Sequence, residues 1–119
     1  MKIGIIGVGY VGLTTAICLA SIKHEISIFD INEEKIKQIR EKKLPFFERG
    51  LQEILENVIS SKNLIPVKNL NELVVNTEGC FICVGTPTKD NSIDLTQIID
   101  AVKSLADSIK QNDKNDYKI

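Results

Sequence analysis

Glycines stand at positions 7, 9 and 12, at the end of the apolar run Ile3 to Val8. An amphipathic stretch follows, then Ile26 to Phe29, and then an acid, Asp30, eighteen positions beyond Gly12. Strand, Gly-x-Gly-x-x-Gly, helix and a second strand ending in a carboxylate form the context in which such glycines bind phosphates; a structural turn is the alternative. Gly7 lets the chain turn tightly, Gly9 puts no Cβ between backbone and pyrophosphate, and Gly12 lets helix and strand pack closely. A helix beginning there turns its free N–H groups and positive dipole end towards the phosphates. Asp30 is placed to accept hydrogen bonds from a ribose diol. A 2′-phosphate would meet like charge, so the pattern favours NAD over NADP.

Other residues capable of chemistry are few. Cys80 and Cys83 form a C-x-x-C, but in a strand-like run an offset of three puts them on opposite faces. No second C-x-x-C or histidine pair exists to complete a zinc site, so they read as buried, unreactive thiols and no metal is expected. His24, the only histidine, falls in the turn at the end of the sheet away from the glycines, where it is solvated and not a catalytic base. Lys35 lies where an adenosine ribose or phosphate would be, and a solvated surface lysine is the other reading. Gly85-Thr86-Pro87-Thr88 ends the apolar run from Cys80 to Val84 at the same sheet edge as the glycine turn. Ligands of such sheets bind outside the carboxyl ends of the strands, so this loop should touch the cofactor unless it is an ordinary strand-to-helix turn.

These residues need a scaffold, and hydrophobic periodicity supplies one. Leu13, Ile17 and Ala20, with Ala16 and Leu19 beside them, give the first helix a packing face; it ends near Ser21 to Glu25. Asn32 caps a second helix with Glu33 and Glu34 at its positive end, Ile31 stapled to Ile36, and Ile36 and Ile39 buried. Phe46 and Phe47 pack or line a cleft. Leu51, Ile54, Leu55, Val58 and Ile59 mark a third helix ending by Asn63. Leu64 to Val67 is a strand whose Pro66 belongs at a sheet edge, as in the order 3-2-1-4. Asn69 and Glu72 resemble a capping box for a brief helix carrying Leu70, Leu73 and Val74. Cys80 to Val84 reads as a central strand covered on both faces, Lys89 to Ser92 as a polar loop. Asp94 with Gln97 caps a last helix whose apolar face runs from Leu95 through Ile98, Ile99, Val102, Leu105 and Ala106 to Ile109. Gln111 to Asp116 is a polar turn, and Tyr117 to Ile119 begins another strand. The fold class is α/β: one Rossmann-type, doubly wound, three-layer parallel sheet spanning 1–119, incomplete because its C-terminal strands are missing.

Composition excludes several classes. With 119 residues and a net charge of −1 there is no electrostatic footprint for nucleic acid or a membrane surface. No apolar run approaches the roughly 20 residues of a membrane helix, and no signal peptide precedes the first strand, so a cytoplasmic protein is expected. Three cysteines, an odd number, argue against a disulfide framework.

The ordered set Gly7-Val8-Gly9-Tyr10-Val11-Gly12-Leu13, Asp30 with Lys35, Pro45-Phe46-Phe47-Glu48-Arg49-Gly50-Leu51, Val84-Gly85-Thr86-Pro87-Thr88 and Ser92-Ile93-Asp94-Leu95 resembles the N-terminal NAD-binding domain of the UDP-glucose/GDP-mannose dehydrogenase family. The resemblance implies NAD contacts by Gly7, Val8, Gly9, Tyr10, Val11, Gly12, Asp30, Lys35 and Val84 through Thr88. It departs from the family's P-x-Y-E-P-G-L at Phe47 and Arg49, and Lys23 stands where a glycine commonly ends the first helix. Family members are several hundred residues long and oxidise a nucleotide-sugar C6 alcohol to a carboxylate with two NAD⁺, through a cysteine thioester. That machinery would lie beyond Ile119, so no residue here is named catalytic, a nucleotide sugar such as UDP-glucose is a partner only of the full-length enzyme, and the chain alone should be inactive. A homodimer is compatible with the resemblance but not implied by these residues. The rival reading is a regulatory NAD-sensing domain of a potassium transport system, which needs neither Pro45–Leu51 nor the G-T-P loop. A methyltransferase binding S-adenosylmethionine fits the glycine spacing poorly.

Overall fold

The computed structural model describes residues 1–112 and 119. Four parallel strands form its sheet: β1 (Lys2–Ile6), β2 (Glu25–Phe29), β3 (Leu64–Pro66) and β4 (Gly79–Ile82), in the order β3-β2-β1-β4. Helix α1 (Tyr10–Ser21) joins β1 to β2, α2 (Glu33–Arg40) and α3 (Leu51–Ser60) lie between β2 and β3, and α4 (Leu70–Asn76) leads to β4. A hairpin of β5 (Thr88–Lys89) and β6 (Ser92–Ile93) precedes α5 (Thr96–Gln111). The order and the edge position of Pro66 are those expected from the sequence.

Strand alternation sends Ile3, Ile5, Ile26 and Ile28 to one face, where Leu13 and Ile17 of α1, Ile39 of α2 and Leu55 of α3 close over them. Each fully buried large aliphatic side chain contributes about 1.5–3 kcal/mol, so this face carries most of the stability. On the other face the buried cluster is Ile6, Val67 and Leu73, flanked by half-buried Cys80, Ile82 and Leu105. Among the described residues no helix is long and apolar enough to cross a membrane.

Several local expectations are corrected. Ile31 is 89% exposed and staples nothing; the turn there is set by the Asp30 carboxylate, which accepts from the Asn32 N–H at 2.8 Å. Asn32 does cap α2, accepting from the N–H groups of Glu34 and Lys35. Before α4, Asn69 accepts from the Glu72 N–H, but the Glu72 carboxylate accepts from Lys68 and not from the cap residue. Lys89 to Ser92 is no plain loop: Asp90 and Asn91 take φ values of 51° and 60°, the two-residue turn that matches hairpin twist. Helix α5 starts at Thr96 with Leu95, not Asp94, as its N-cap and no side-chain cap; Asp94, one residue earlier, accepts from the Thr96 N–H at 2.9 Å, without Gln97.

The strand expected from Cys80 to Val84 is Gly79–Ile82, and among the described residues it stands last in the sheet order. Phe81, in register with Ile5, is half exposed. Beyond β4 among the described residues only Ile119 pairs, accepting from Cys80 N–H at 2.7 Å and donating to Glu78 O at 3.2 Å. The apolar face of α5 has the expected period, yet Leu95, Ile99 and Val102 are about half exposed, because α4 and β4 cover only the edge bearing Ala101, Leu105 and Ser108. Ile54 likewise sits at the exposed rim of its stripe, and Cys18 is exposed on α1. Gln111 closes α5; the turn and strand expected after it lie outside the described residues, apart from Asn112 and Ile119.

Helices α1, α2 and α3 end alike. His24 N–H reaches Leu19 O while Lys23 N–H reaches Ala20 O, and the same pair of bonds recurs at Lys42 and Lys62. This closure needs a left-handed residue, and the φ values are 75° at Lys23, 60° at Lys42 and 61° at Lys62. Lysine suits the negative helix end but a Cβ in that conformation costs about 1–2 kcal/mol, partly offset by the lower chain entropy of a non-glycine residue. Lys23→Gly and Lys62→Gly should each raise unfolding free energy by about 0.5–1 kcal/mol and add when combined, read as urea midpoints.

Candidate dinucleotide site

The carboxyl ends of β1, β2 and β4 converge on a cavity of about 570 Å³ lined by Gly7, Gly9, Asp30, Lys35, Val84 and Gly85, among others. Its shape follows from the turn after β1. Gly7 has φ 94°, and a Cβ there would press on the Cys83 carbonyl. A Cβ at Gly12 would overlap the Gly7 carbonyl and crowd Cys83, so α1 crosses the end of β1 only because that side chain is missing. Gly9 differs: nothing lies within 4 Å of where its Cβ would be. It is the N-cap of α1 with no side-chain cap, and the first turn of α1 holds no acid. The uncapped N–H groups and positive helix end therefore face open space, which is what a pyrophosphate needs.

Asp30 is fixed on both oxygens, Oδ2 accepting from Val8 N–H at 2.7 Å and Oδ1 from Asn32 N–H at 2.8 Å. The neighbouring Gly7 N–H donates to Phe29 O at 2.8 Å, so β1's turn is pinned to the end of β2 twice. Each carboxylate oxygen keeps a lone pair for a hydroxyl of the ligand. Lys35, on the first turn of α2, lines the same cavity, and its ammonium has no hydrogen-bond partner among the described residues. These features fit an adenine dinucleotide: an open phosphate cradle, a held acceptor for a ribose and an uncommitted cation.

The other expected contacts divide. Val8 is buried and offers its N–H to Asp30. Val11 is 66% exposed, and Thr86, Pro87 and Thr88 do not line the cavity; they lead into the hairpin, where Pro87 O accepts from Asp94 N–H. Tyr10 turns outward, its hydroxyl donating to Glu48 Oε2 at 2.7 Å and its ring 5.0 Å from that of Phe46. The adjacent phenylalanines thus separate, Phe46 packing on the core and Phe47 standing 92% exposed. Cys80 and Cys83 are half-buried and burial pushes both thiols up, which keeps them protonated. Among the described residues no group of three His, Cys, Asp or Glu side chains could hold a metal ion.

Sequence reasoning missed two parts of the site. One is the Tyr10–Glu48 bond, which spans 38 positions. The other is a stripe on α5, Gln97, Asp100, Ala101 and Ser104, that lines the same cavity as Lys35. Its i, i+3, i+4, i+7 spacing is a helical face, but a polar face of this kind has the same pattern as a solvated one.

Residues 1–115 match the NAD binding domain of the UDP-glucose/GDP-mannose dehydrogenase family. A UDP-glucose 6-dehydrogenase of Bacillus subtilis is 36% identical over 113 residues, 94% of this chain and 26% of that protein. A GDP-mannose 6-dehydrogenase of Azotobacter vinelandii is 36% identical over 111 residues, 92% of this chain and 26% of its own length. A crystal structure of a ternary complex of GDP-mannose dehydrogenase from Pseudomonas aeruginosa superposes with a TM-score of 0.91 at 33% identity, covering 96% of this chain and 26% of that one. The chain thus spans about a quarter of the length of these relatives.

The Glu48 carboxylate beside the Tyr10 hydroxyl disfavours the phenolate and holds Tyr10 above the ordinary tyrosine range. Ultraviolet titration of the two tyrosines should show one ionising above the other, and Glu48→Gln should bring that one down. The associated stability is present below the ordinary tyrosine value and is lost as pH rises through the folded one.

Proposed function

We propose, for a chain that belongs to the UDP-glucose/GDP-mannose dehydrogenase family and matches its NAD-binding domain, that residues 1–119 are the cofactor-holding domain of a nucleotide-sugar 6-dehydrogenase. Bound NAD⁺ supplies a hydride acceptor for oxidation of a sugar C6 alcohol. This chain's part is to bind and orient it. The α1 N-terminus and the backbone at Gly7 and Gly9 hold the pyrophosphate, Asp30 accepts from the adenosine ribose hydroxyls, and Lys35 closes on the same ribose or its phosphate. Val84 and Gly85 allow close approach from the β4 side. Thr86, Pro87 and Thr88 reach the cofactor, in this reading, only from the hairpin.

The observation that carries the reading is the empty volume over Gly9 beside a carboxylate already fixed by two backbone N–H groups. The relatives described above are dehydrogenases, which leaves the potassium-transport regulator without support. The sugar nucleotide and the oxidation chemistry belong, in this proposal, to the three quarters of the relatives' length that this chain does not span. The setting is the cytoplasm, where three free thiols stay reduced.

Isothermal calorimetry of the purified chain should show NAD⁺ binding more tightly than NADP⁺, and Asp30→Ala should weaken NAD⁺. Gly9→Ala is the sharper probe. It should leave the thermal midpoint unchanged, since its Cβ meets no protein atom, while weakening NAD⁺ at least about tenfold by steric exclusion. Tighter binding of NADP⁺, or unchanged NAD⁺ affinity in Gly9→Ala, would overturn the assignment. The chain alone should reduce no NAD⁺ when given UDP-glucose.

A further inference from the structure

Beyond the phosphate and ribose contacts, the cavity has a fourth wall with no assigned role. It is the α5 stripe Gln97, Asp100, Ala101 and Ser104, with Leu70 at the start of α4. Three of its four members are polar, and they line the recess that contains the glycine turn. None of the Gln97, Asp100 and Ser104 side chains has a hydrogen-bond partner among the described residues, whereas the Asp30 carboxylate is engaged on both oxygens.

The order of groups around the recess places the ligand. Phosphates at Gly7 and Gly9 and a ribose at Asp30 and Lys35 leave the base to extend towards Leu70 and Ala101, two apolar groups suited to the faces of a purine. Its polar edge then meets Gln97, Asp100 and Ser104. The glutamine amide and the serine hydroxyl can each turn to donate or accept, so they tolerate any edge. A carboxylate only accepts. We propose that Asp100 is the residue that makes this cavity select adenine: it accepts from the exocyclic 6-amino group and repels the 6-oxo group that hypoxanthine presents at the same position. This rests on the dinucleotide reading above and adds to it the group that reads the base.

Calorimetry with NAD⁺ and with nicotinamide hypoxanthine dinucleotide tests it, on the unmodified chain and on Asp100→Asn. Because Asp100 is exposed and bonded to nothing among the described residues, the variant should keep the thermal midpoint. The unmodified chain should prefer the adenine form about tenfold, the scale of one charge-assisted hydrogen bond at a partly exposed site. Asp100→Asn, whose amide can donate as well as accept, should bring the ratio close to one. Equal binding of the two dinucleotides by the unmodified chain, or an unchanged ratio in Asp100→Asn, overturns the role of Asp100 while the dinucleotide reading stands. Binding of neither dinucleotide overturns both.

Discussion

No side chain fits where α1 crosses the end of β1. A Cβ at Gly12 would lie on the Gly7 carbonyl, and a Cβ at Gly7 would lie on the Cys83 carbonyl at the end of β4. Three elements meet at a spacing that only backbone can occupy. From that contact follow the direction of α1, the openness above Gly9 and the height at which Asp30 meets the turn. A methyl group at either position would push the helix away from the sheet, and the N–H groups at its start would no longer face the recess.

The two sides of the sheet are built unequally. The α1–α3 side buries a continuous set of isoleucines, leucines and valines, while the α4–α5 side depends on Leu73 and a half-exposed Leu105. The cavity opens on the lightly packed side, with α5 as one wall. The half-exposed Phe81, Leu95, Ile99 and Val102 lie on the same two elements, β4 and α5 or its approach. The rigid portion of the site, the turn and Asp30, therefore rests on the heavily packed half, and the wall facing the base rests on the half with fewer buried contacts to hold it.

How much was legible in the sequence depended on the range of the interaction. The turn, the second strand, Asp30 and the Asn32 cap are specified by residues within a few positions of one another, and all are found where expected. The strand order is the 3-2-1-4 of a doubly wound sheet, whose edge position suits Pro66 with its missing N–H. By contrast, the Tyr10–Glu48 bond joins segments 38 positions apart, and no local pattern encodes it. The hairpin was hidden because Asp90 and Asn91 adopt positive φ without a glycine to announce it. Ile31 was expected to pack, but the short bond from Asn32 N–H to Asp30 closes the turn in a way that leaves it outside. Periodicity located the apolar face of α5 correctly but could not say how much of it neighbouring elements would cover.

The double engagement of Asp30 bears on how coenzyme choice can drift. The carboxylate that would repel a phosphorylated ribose also tethers Val8 and Asn32, so it is a structural strut as well as a discriminator. A lineage exchanging it for a small neutral residue would relax the exclusion and slacken the turn in one step. Switching preference therefore demands a substitute acceptor for those two amides beforehand, an ordering that makes the ancestral choice hard to leave by single replacements.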